Sequence, residues 1–323
     1  MKAIAQDRFG SADVLEFRDV ETPAPGDDEV RIQVRAAGCG PDVWHLMAGL
    51  PYFVRLMPGF RKLNTGVRGR DVAGTVEAVG TNVRDLRPGD DVMGIVEGSF
   101  AELAIGRPHT LVPKPARLTF EQAAAVPISG LTALQAIRDL AKVRPGQEVL
   151  VVGAAGGVGT LTVQIAKAFG ARVTGVCGTT KLDLVRSIGA DDAIDYTRED
   201  FTDGRRRWDV IVDTGGRRPL TRLRRALTPR GTVVIVGGDG GNKWTGGFGR
   251  QMLRAPLISL VTRQRFRGLI STEGRDDLLA LSELIEAGTV TPVVDRAYPL
   301  IEAAEAVRYL ERGHAAGKVV VTV

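Results

Sequence analysis

A run of glycines, Gly153-Ala154-Ala155-Gly156-Gly157-Val158-Gly159, separates the apolar segment Glu148-Val149-Leu150-Val151-Val152 from an amphipathic stretch running from about Val158 to Phe169. Such a loop between a strand and a helix can cradle a diphosphate: one glycine allows the turn, the next admits phosphate oxygens close to the backbone, and the last lets helix and strand pack. The helix N-terminus then offers amide protons and the positive end of its dipole. The spacing, Gly-x-x-Gly-x-x-Gly, is one residue longer than the standard dinucleotide form, so the flanking strand and helix carry as much of the argument as the glycines. Gly153, Ala155, Gly156, Gly157, Val158 and Gly159 are the cofactor-binding residues expected here.

The next strand should end near Cys177-Gly178-Thr179-Thr180-Lys181, where an NAD enzyme places an acid for the ribose hydroxyls. No carboxylate occurs in that stretch, and an ammonium with hydroxyls attracts a 2′-phosphate. NADPH is therefore the expected cofactor, with Gly178 at the turn, Thr179 as hydroxyl donor and Lys181 as cationic partner. The competing reading of Lys181 is an ordinary first-turn surface lysine, which would make cofactor use dual. Tyr196, after Ala193-Ile194-Asp195, is placed against the adenine end. Thr214 in Asp213-Thr214-Gly215-Gly216, and Gly237, close later strands and are expected cofactor contacts, or else turn residues only.

The elements that must hold these residues alternate. Arg172–Val176, Ala193–Tyr196, Asp209–Val212 and Thr232–Val236 read as strands, and Lys181–Ile188 as a helix ended by Gly189. This is the grammar of a doubly wound parallel sheet. The first third is different: Glu29–Arg35 alternates polar and apolar side chains, Asp71–Val79 is another strand, and Pro88-Gly89-Asp90-Asp91-Val92 is a turn into a third. Thr119-Phe120-Glu121-Gln122 fits a capping box. The tail reads as a helix near Leu300–Leu310 and a last strand, Lys318–Val323. The segment from Leu50 to Gly69 has no period, much apolar surface and several cations, the mark of a flap or of an irregular packed connection.

Composition restricts the rest. The chain has 323 residues, 44% of them apolar and 25% charged, which suits two globular domains. No apolar run reaches the ~20 residues of a membrane span. Met1–Arg8 lacks a long apolar core, so no signal peptide is expected. Two cysteines, Cys39 and Cys177, cannot build a disulfide framework, and a reducing cytoplasm is the expected location. The charge of +5 is concentrated in arginines such as Arg205-Arg206-Arg207 and Arg217, Arg218, Arg222, Arg224 and Arg225. Without interleaved aromatics these read as a solvated basic face rather than a nucleic-acid surface.

Taken together the chain resembles the zinc-independent medium-chain dehydrogenase/reductase family, quinone oxidoreductase branch. The resemblance rests on Gly69-Arg70-Asp71-Val72-Ala73-Gly74-Thr75-Val76, Glu77-Ala78-Val79-Gly80, Pro88–Val92, Gly130-Leu131-Thr132-Ala133-Leu134 and Gly317-Lys318-Val319-Val320, in order along the whole chain. It implies an α/β protein with a GroES-like β-barrel catalytic domain over 1–118, completed by about 263–323, and a Rossmann domain over 119–262. It also implies a homodimer, and Thr132 bonding the nicotinamide carboxamide. The zinc branch is excluded on residues: Gly69-Arg70-Asp71 has no histidine, and no cysteine precedes Gly130.

Without a metal, a conjugated acceptor that delocalises its own negative charge suits hydride transfer best. The expected reaction is reduction of a quinone or α,β-unsaturated carbonyl by NADPH. The alternatives are a zinc-free alcohol or carbonyl dehydrogenase and a non-catalytic NADPH-binding redox sensor. A hydrophobic small molecule is the expected partner, with neither nucleic acid nor membrane. In Gly40-Pro41-Asp42-Val43-Trp44-His45, Gly40 replaces the asparagine that such reductases usually carry and Val43 sits where an aspartate is frequent, unless Asp42 takes that role, so the proton route departs from the family pattern. Trp44 is read as a stacking or a core residue, His45 as a proton donor or a surface histidine, and Tyr52 as a tyrosine reaching the site.

Overall fold

The computed structural model describes residues 1–52, 55, 66–237, 243–244 and 246–323. The expected flap from Leu50 to Leu63 falls largely on 53, 54 and 56–65, outside the described residues. In chain order the elements are β1 (Lys2–Ala5), β2 (Glu16–Asp19), β3 (Val30–Cys39), α1 (Pro41–Ala48), β4 (Asp71–Val79), β5 (Asp91–Ile95), β6 (Leu103–Gly106), β7 (Leu111–Pro113), α2 (Phe120–Ala124) and α3 (Pro127–Gln135). There follow β8 (Glu148–Val152), α4 (Gly157–Ala168), β9 (Arg172–Cys177), α5 (Leu182–Ser187), β10 (Asp192–Asp195), β11 (Trp208–Asp213), α6 (Leu220–Arg225) and β12 (Leu227–Ile235). The last are α7 (Gly246–Val261), β13 (Arg265–Gly268), α8 (Arg275–Glu286), β14 (Val294–Pro299), α9 (Ala303–Glu311) and β15 (Lys318–Thr322).

Two compact units result, one of Met1–Leu131, Thr272–Gly288 and Pro292–Val323, the other of Thr132–Ser271 and Thr289–Thr291. The divisions expected after 118 and 262 therefore move to 131 and 271. The first shift has a packing cause: α2 lies on β3 and β4, so it belongs with the barrel strands. Its start is fixed by a complete capping box, with the Gln122 amide donating to Thr119 Oγ1 at 3.2 Å and the Thr119 amide to Gln122 Oε1 at 3.1 Å. The second shift has a pairing cause: β13 runs parallel to β12 from Thr232 opposite Arg265 to Ile235 opposite Gly268, extending the second unit past 262.

The first unit is built on a seven-stranded sheet, β14-β15-β3-β4-β5-β7 with β6 pairing β3 off the main path. Pairing is antiparallel except between β14 and β15. β3 carries the sequence's period-two signal into burial: Val30, Ile32 and Val34 point inward, while Gln33 and Arg35 are exposed. These side chains join Val72, Val76, Val92, Val319 and Val321 in one core.

The second unit is a six-stranded parallel sheet in the order β10-β9-β8-β11-β12-β13. Val149, Leu150 and Val151 of β8 are fully buried because helices cover both faces, which is why their run has no alternation. α4 ends where Gly170 takes φ +77°, a conformation other residues enter only with strain. Trp208, Ile211, Val233 and Phe266 centre its second core cluster.

Candidate functional site

In the parallel sheet β8 pairs directly with both β9 and β11, so the winding reverses between β8 and β11. Ligands of open α/β sheets lie outside the carboxyl ends of the strands at such a switch point. The residues that follow β8 and β11 are Gly153 and Thr214, the two sequence-expected contacts from separate segments. Thr214 Oγ1 donates to the Val152 carbonyl at 2.8 Å, which holds its side chain across the loop. A Cβ on Gly153 would lie 2.3 Å from that hydroxyl, and Gly153 has φ +77°. A Cβ on Gly237 would lie 2.4 Å from the Thr214 carbonyl oxygen. Gly153, Thr214 and Gly237 thus form one packed layer at the ends of β8, β11 and β12.

The loop itself is folded back on the sheet. The Gly153 and Ala154 amides both donate to the Val176 carbonyl at 3.0 Å, and Gly156 donates to the Gly153 carbonyl at 3.0 Å. Gly159 is required by packing, since its Cβ would meet the Gly153 oxygen at 2.0 Å. Gly156 is not. A Cβ there would have only the Gly153 oxygen at 3.5 Å for company, so the space in front of the α4 N-terminus is open. Gly156 is the N-cap and offers no side chain to the first-turn amides of Gly157, Val158 and Gly159, which have no carbonyl four residues back within the helix. Ala155 is buried in the same bend. Open space before uncapped amides and a helix dipole is the chemistry of a phosphate site, and a dinucleotide's diphosphate fits it.

At the end of β9, Thr179–Lys181 forms a single 3-10 turn, with the Lys181 amide donating to the Gly178 carbonyl at 2.9 Å. The Tyr196 ring lies beside Gly178, 3.8 Å from where a Cβ would be, and is 48% exposed, so it presents a face at this end of the sheet. Thr179 departs from expectation. Its hydroxyl donates to Asp195 Oδ2 at 2.5 Å, while Thr197 donates to Asp195 Oδ1 from its hydroxyl at 2.7 Å and its amide at 2.9 Å. The hydroxyl bonds from Thr179 and Thr197 hold the Asp195 carboxyl below the usual carboxylate range. Sequence reading found no acid after β9 because this one arrives from β10, whose Asp195 pairs with Cys177. Thr132 is buried within α3.

The first unit carries the other three candidates around the end of α1, where the Trp44 and His45 rings meet edge to face with centroids 4.9 Å apart. Trp44 on α1 donates from Nε1 to Glu311 Oε1 at 2.6 Å, and its ring packs against the barrel core. That is the geometry of a packing residue with its polar edge satisfied, rather than of a stacking platform. His45 Nδ1 donates to the Leu50 carbonyl at 2.6 Å, because a carbonyl oxygen only accepts. This bond clasps the turn at Gly49 and puts a proton on Nδ1. The Arg55 guanidinium sits over the rings of Tyr52, at 4.8 Å, and Phe9, at 4.5 Å, which pins Tyr52 next to the same turn.

A buried charged group was not anticipated. Lys318 Nζ, on β15, donates to Asp71 Oδ2 at 2.7 Å and to Ser129 Oγ at 3.1 Å, and the Ile128 amide donates to Asp71 Oδ1 at 2.7 Å. Lys318 and Asp71 side chains are 5% and 0% exposed. Asp42 in the first turn of α1 belongs to the same cluster, with a buried Oδ2 that has no hydrogen-bond partner. Burial and the neighbouring Asp71 raise its pKa, with Lys318 opposing. A Cβ on Gly40 would meet Asp42 Oδ1 at 2.5 Å and Lys318 Nζ at 3.0 Å. Glycine at 40 is therefore sized by the carboxyl of Asp42. Burial pushes the Cys39 thiol up to about 12, so it is a neutral core residue. Both Asp71 and Lys318 stood in recognised motifs; the signal missed was that each is a charge opening a strand and followed directly by a run of apolar residues.

Comparison with known proteins gives a consistent answer. Residues 26–116 match the alcohol dehydrogenase GroES-like domain, and residues 188–321 match a family described as zinc-binding dehydrogenase. The chain is 34% identical to 2-methylene-furan-3-one reductase of Solanum lycopersicum, over 99% of this chain and 79% of that protein. It is 35% identical to a chloroplastic NADPH-dependent alkenal/one oxidoreductase of Arabidopsis thaliana, with the same coverage. The solved structure of the quinone oxidoreductase from Coxiella burnetii superposes with a TM-score of 0.87 at 31% identity, covering 100% of this chain and 99% of that one. Among the described residues no group of three His, Cys, Asp or Glu side chains is arranged to hold a metal.

Proposed function

Because this chain belongs to the quinone oxidoreductase-like medium-chain dehydrogenases/reductases, we propose that it reduces quinones or α,β-unsaturated carbonyls with NADPH and without a metal. The observation that carries the reading is the open space before Gly156, where the bare N-terminus of α4 meets the switch point of the sheet. The nicotinamide, when bound, supplies the hydride. The protein's part is positional and electrostatic. The first-turn amides of α4 hold the diphosphate, the Gly153–Thr214–Gly237 layer forms the floor, Tyr196 borders the adenine end and Thr132 takes the carboxamide. Lys181 attracts the 2′-phosphate, while the Asp195 charge is spread over the Thr179 and Thr197 hydrogen bonds. A conjugated acceptor also needs a proton, and the carboxyl that we assign to this role is Asp42, whose pKa burial raises against the opposing charge of Lys318. Tyr52 and His45 shape the α1 end of that unit.

The metal-free reading is supported by Arg70, which occupies the motif position of a zinc-binding histidine and pairs with Glu273 at 2.5 Å. A homodimer is supported by two features of the second unit. β13 is an edge strand of the parallel sheet, and α7 beside it exposes Leu253, Leu257, Leu260 and Val261. A reducing, cytoplasmic location is supported by the two cysteines, both free and buried.

The test is steady-state turnover of NADPH and NADH with a panel of quinones, enals and secondary alcohols, with and without a chelator, repeated on Lys181→Ala. Turnover of conjugated acceptors, indifferent to the chelator and with NADPH affinity selectively lost in the variant, is expected. Turnover of alcohols alone would favour the dehydrogenase reading. Tight NADPH binding without turnover of any electrophile would favour the sensor.

A further inference from the structure

The arginines that read in sequence as a solvated basic face do not behave alike in the fold. Arg205, Arg206, Arg218 and Arg222 are neutralised, by Asp203 at 3.3 Å, Asp192 at 2.7 Å and Asp200 at 3.8 and 3.2 Å. Arg207, Arg224, Arg225 and Arg263 form no ion pair with any described residue. Those four line one concavity of about 560 Å³, together with Thr221, Thr262 and the apolar floor of Leu227 and Pro229. No carboxylate lines it. The surrounding stretch, 204–267, holds fifteen Lys and Arg against three Asp, although the whole chain carries only +5.

The concavity sits at the opposite end of the sheet from the dinucleotide loop. Arg207 precedes the first residue of β11, Leu227 is the first residue of β12, and Arg263 and Gln264 precede β13. β8, β11, β12 and β13 are all parallel, so these amino ends share one edge while Gly153, Thr214 and Gly237 share the other. A strand of this length separates the two edges by about 20 Å. One nucleotide phosphate cannot serve both.

We propose that this concavity is a second anion site, taking a small molecule that carries two or more phosphoryl groups. Four guanidinium groups gathered from three separate segments repel one another, and their clustering is offset by an anion that accepts their forked hydrogen bonds. The α6 C-terminus favours Arg224 and Arg225 through its dipole, but Arg207 and Arg263 lie on other elements and have no such reason to converge. The Gln264 amide is committed, donating to the carbonyls of Arg224 and Thr228 at 3.1 Å, and this ties the α6–β12 turn to the start of β13 and fixes the rim. The volume, about 560 Å³, falls in the range of small-molecule sites.

The experiment is calorimetric titration of the full chain, saturated with NADP⁺, with inorganic tripolyphosphate at low ionic strength. Saturable binding is expected, weaker by about tenfold or more in Arg207→Ala/Arg225→Ala, and unchanged in Arg205→Ala, whose side chain lies outside the concavity. Orthophosphate should bind more weakly than tripolyphosphate. All the substituted side chains are solvent-exposed, and circular dichroism checks that each variant is folded. The proposal is overturned by any of three results: no saturation, equal loss in Arg205→Ala, or binding seen only when NADP⁺ is left out. Arginine-dependent binding of a single-stranded oligonucleotide or of phosphatidylserine vesicles, with none of tripolyphosphate, would also overturn it, in favour of a macromolecular surface. NADPH turnover is not a readout, so the result is independent of the catalytic reading.

Discussion

The hydroxyl of Thr179 donates to the carboxylate of Asp195 across the ends of two neighbouring strands, at 2.5 Å. A negative charge is thereby held beside the turn that carries Lys181, where the third phosphate of NADPH is expected. The two side chains act in opposite directions on cofactor choice. Replacing Asp195 with Asn removes the repulsion, and the KM for NADPH should fall by roughly 3- to 10-fold, with NADH little changed. Steady-state kinetics with both cofactors at one ionic strength check this.

The same bond makes an acid-stability prediction. Hydrogen bonds hold the folded pKa of Asp195 below its unfolded value near 3.8, so the stability they contribute is present above that pH and is lost as pH falls through the folded value. In Thr179→Val the folded pKa moves back towards 3.8. The variant should melt lower than the parent at pH 7, and the gap should close in strong acid. Thermal melts between pH 7 and 2.5 read it.

Lys318 and Asp71 form a pair with almost no solvent contact, so removing either partner strands a charge. Lys318→Met should cost about 3–5 kcal/mol, measured by denaturant unfolding, whereas Asp71→Asn combined with Lys318→Met should recover much of that loss. Equal instability of the single and double variants would show that shape, not charge, holds the site.

Gly159→Ala brings a methyl group within 2.0 Å of the Gly153 carbonyl oxygen, which is backbone and cannot swing aside. A loss of about 1–3 kcal/mol is expected, together with a raised Kd for NADPH. Gly156→Ala, with nothing nearer than 3.5 Å, should keep its stability and lose cofactor affinity alone. Comparing the two variants separates packing from binding.

Burial pushes the Cys39 thiol up to about 12 and the Cys177 thiol up to about 11. Neither should react with a thiol reagent at pH 8 in the native protein, and both should react after unfolding. Absorbance with an aromatic disulfide reagent, before and after guanidinium, counts them.

What the sequence disclosed depended on how local each signal is. The alternation of Val30, Ile32 and Val34, the Thr119–Gln122 box and the strand–glycine–helix order around Gly153 all act within a few residues, and each predicts its element. α1 carries local signals too, with Pro41 at its first position and Gly49 at its left-handed end. Partners from distant segments were not legible. Asp195 reaches Thr179 only because β10 pairs with β9, and Glu311 meets Trp44 only because the chain returns after 267 residues. The unit boundaries moved for the same reason, since composition changes at Pro113-Lys114-Pro115 while packing does not.

The ion pair between β4 and β15 spans 247 residues of chain. On a ribosome, Asp71 is therefore made long before the cation that balances it. The second unit is mostly complete by Ser271 and can collapse while the first still lacks its closing strand. A nascent chain halted before Lys318 would hold an uncompensated carboxylate on β4, exposed to chaperones and proteases until β15 is made.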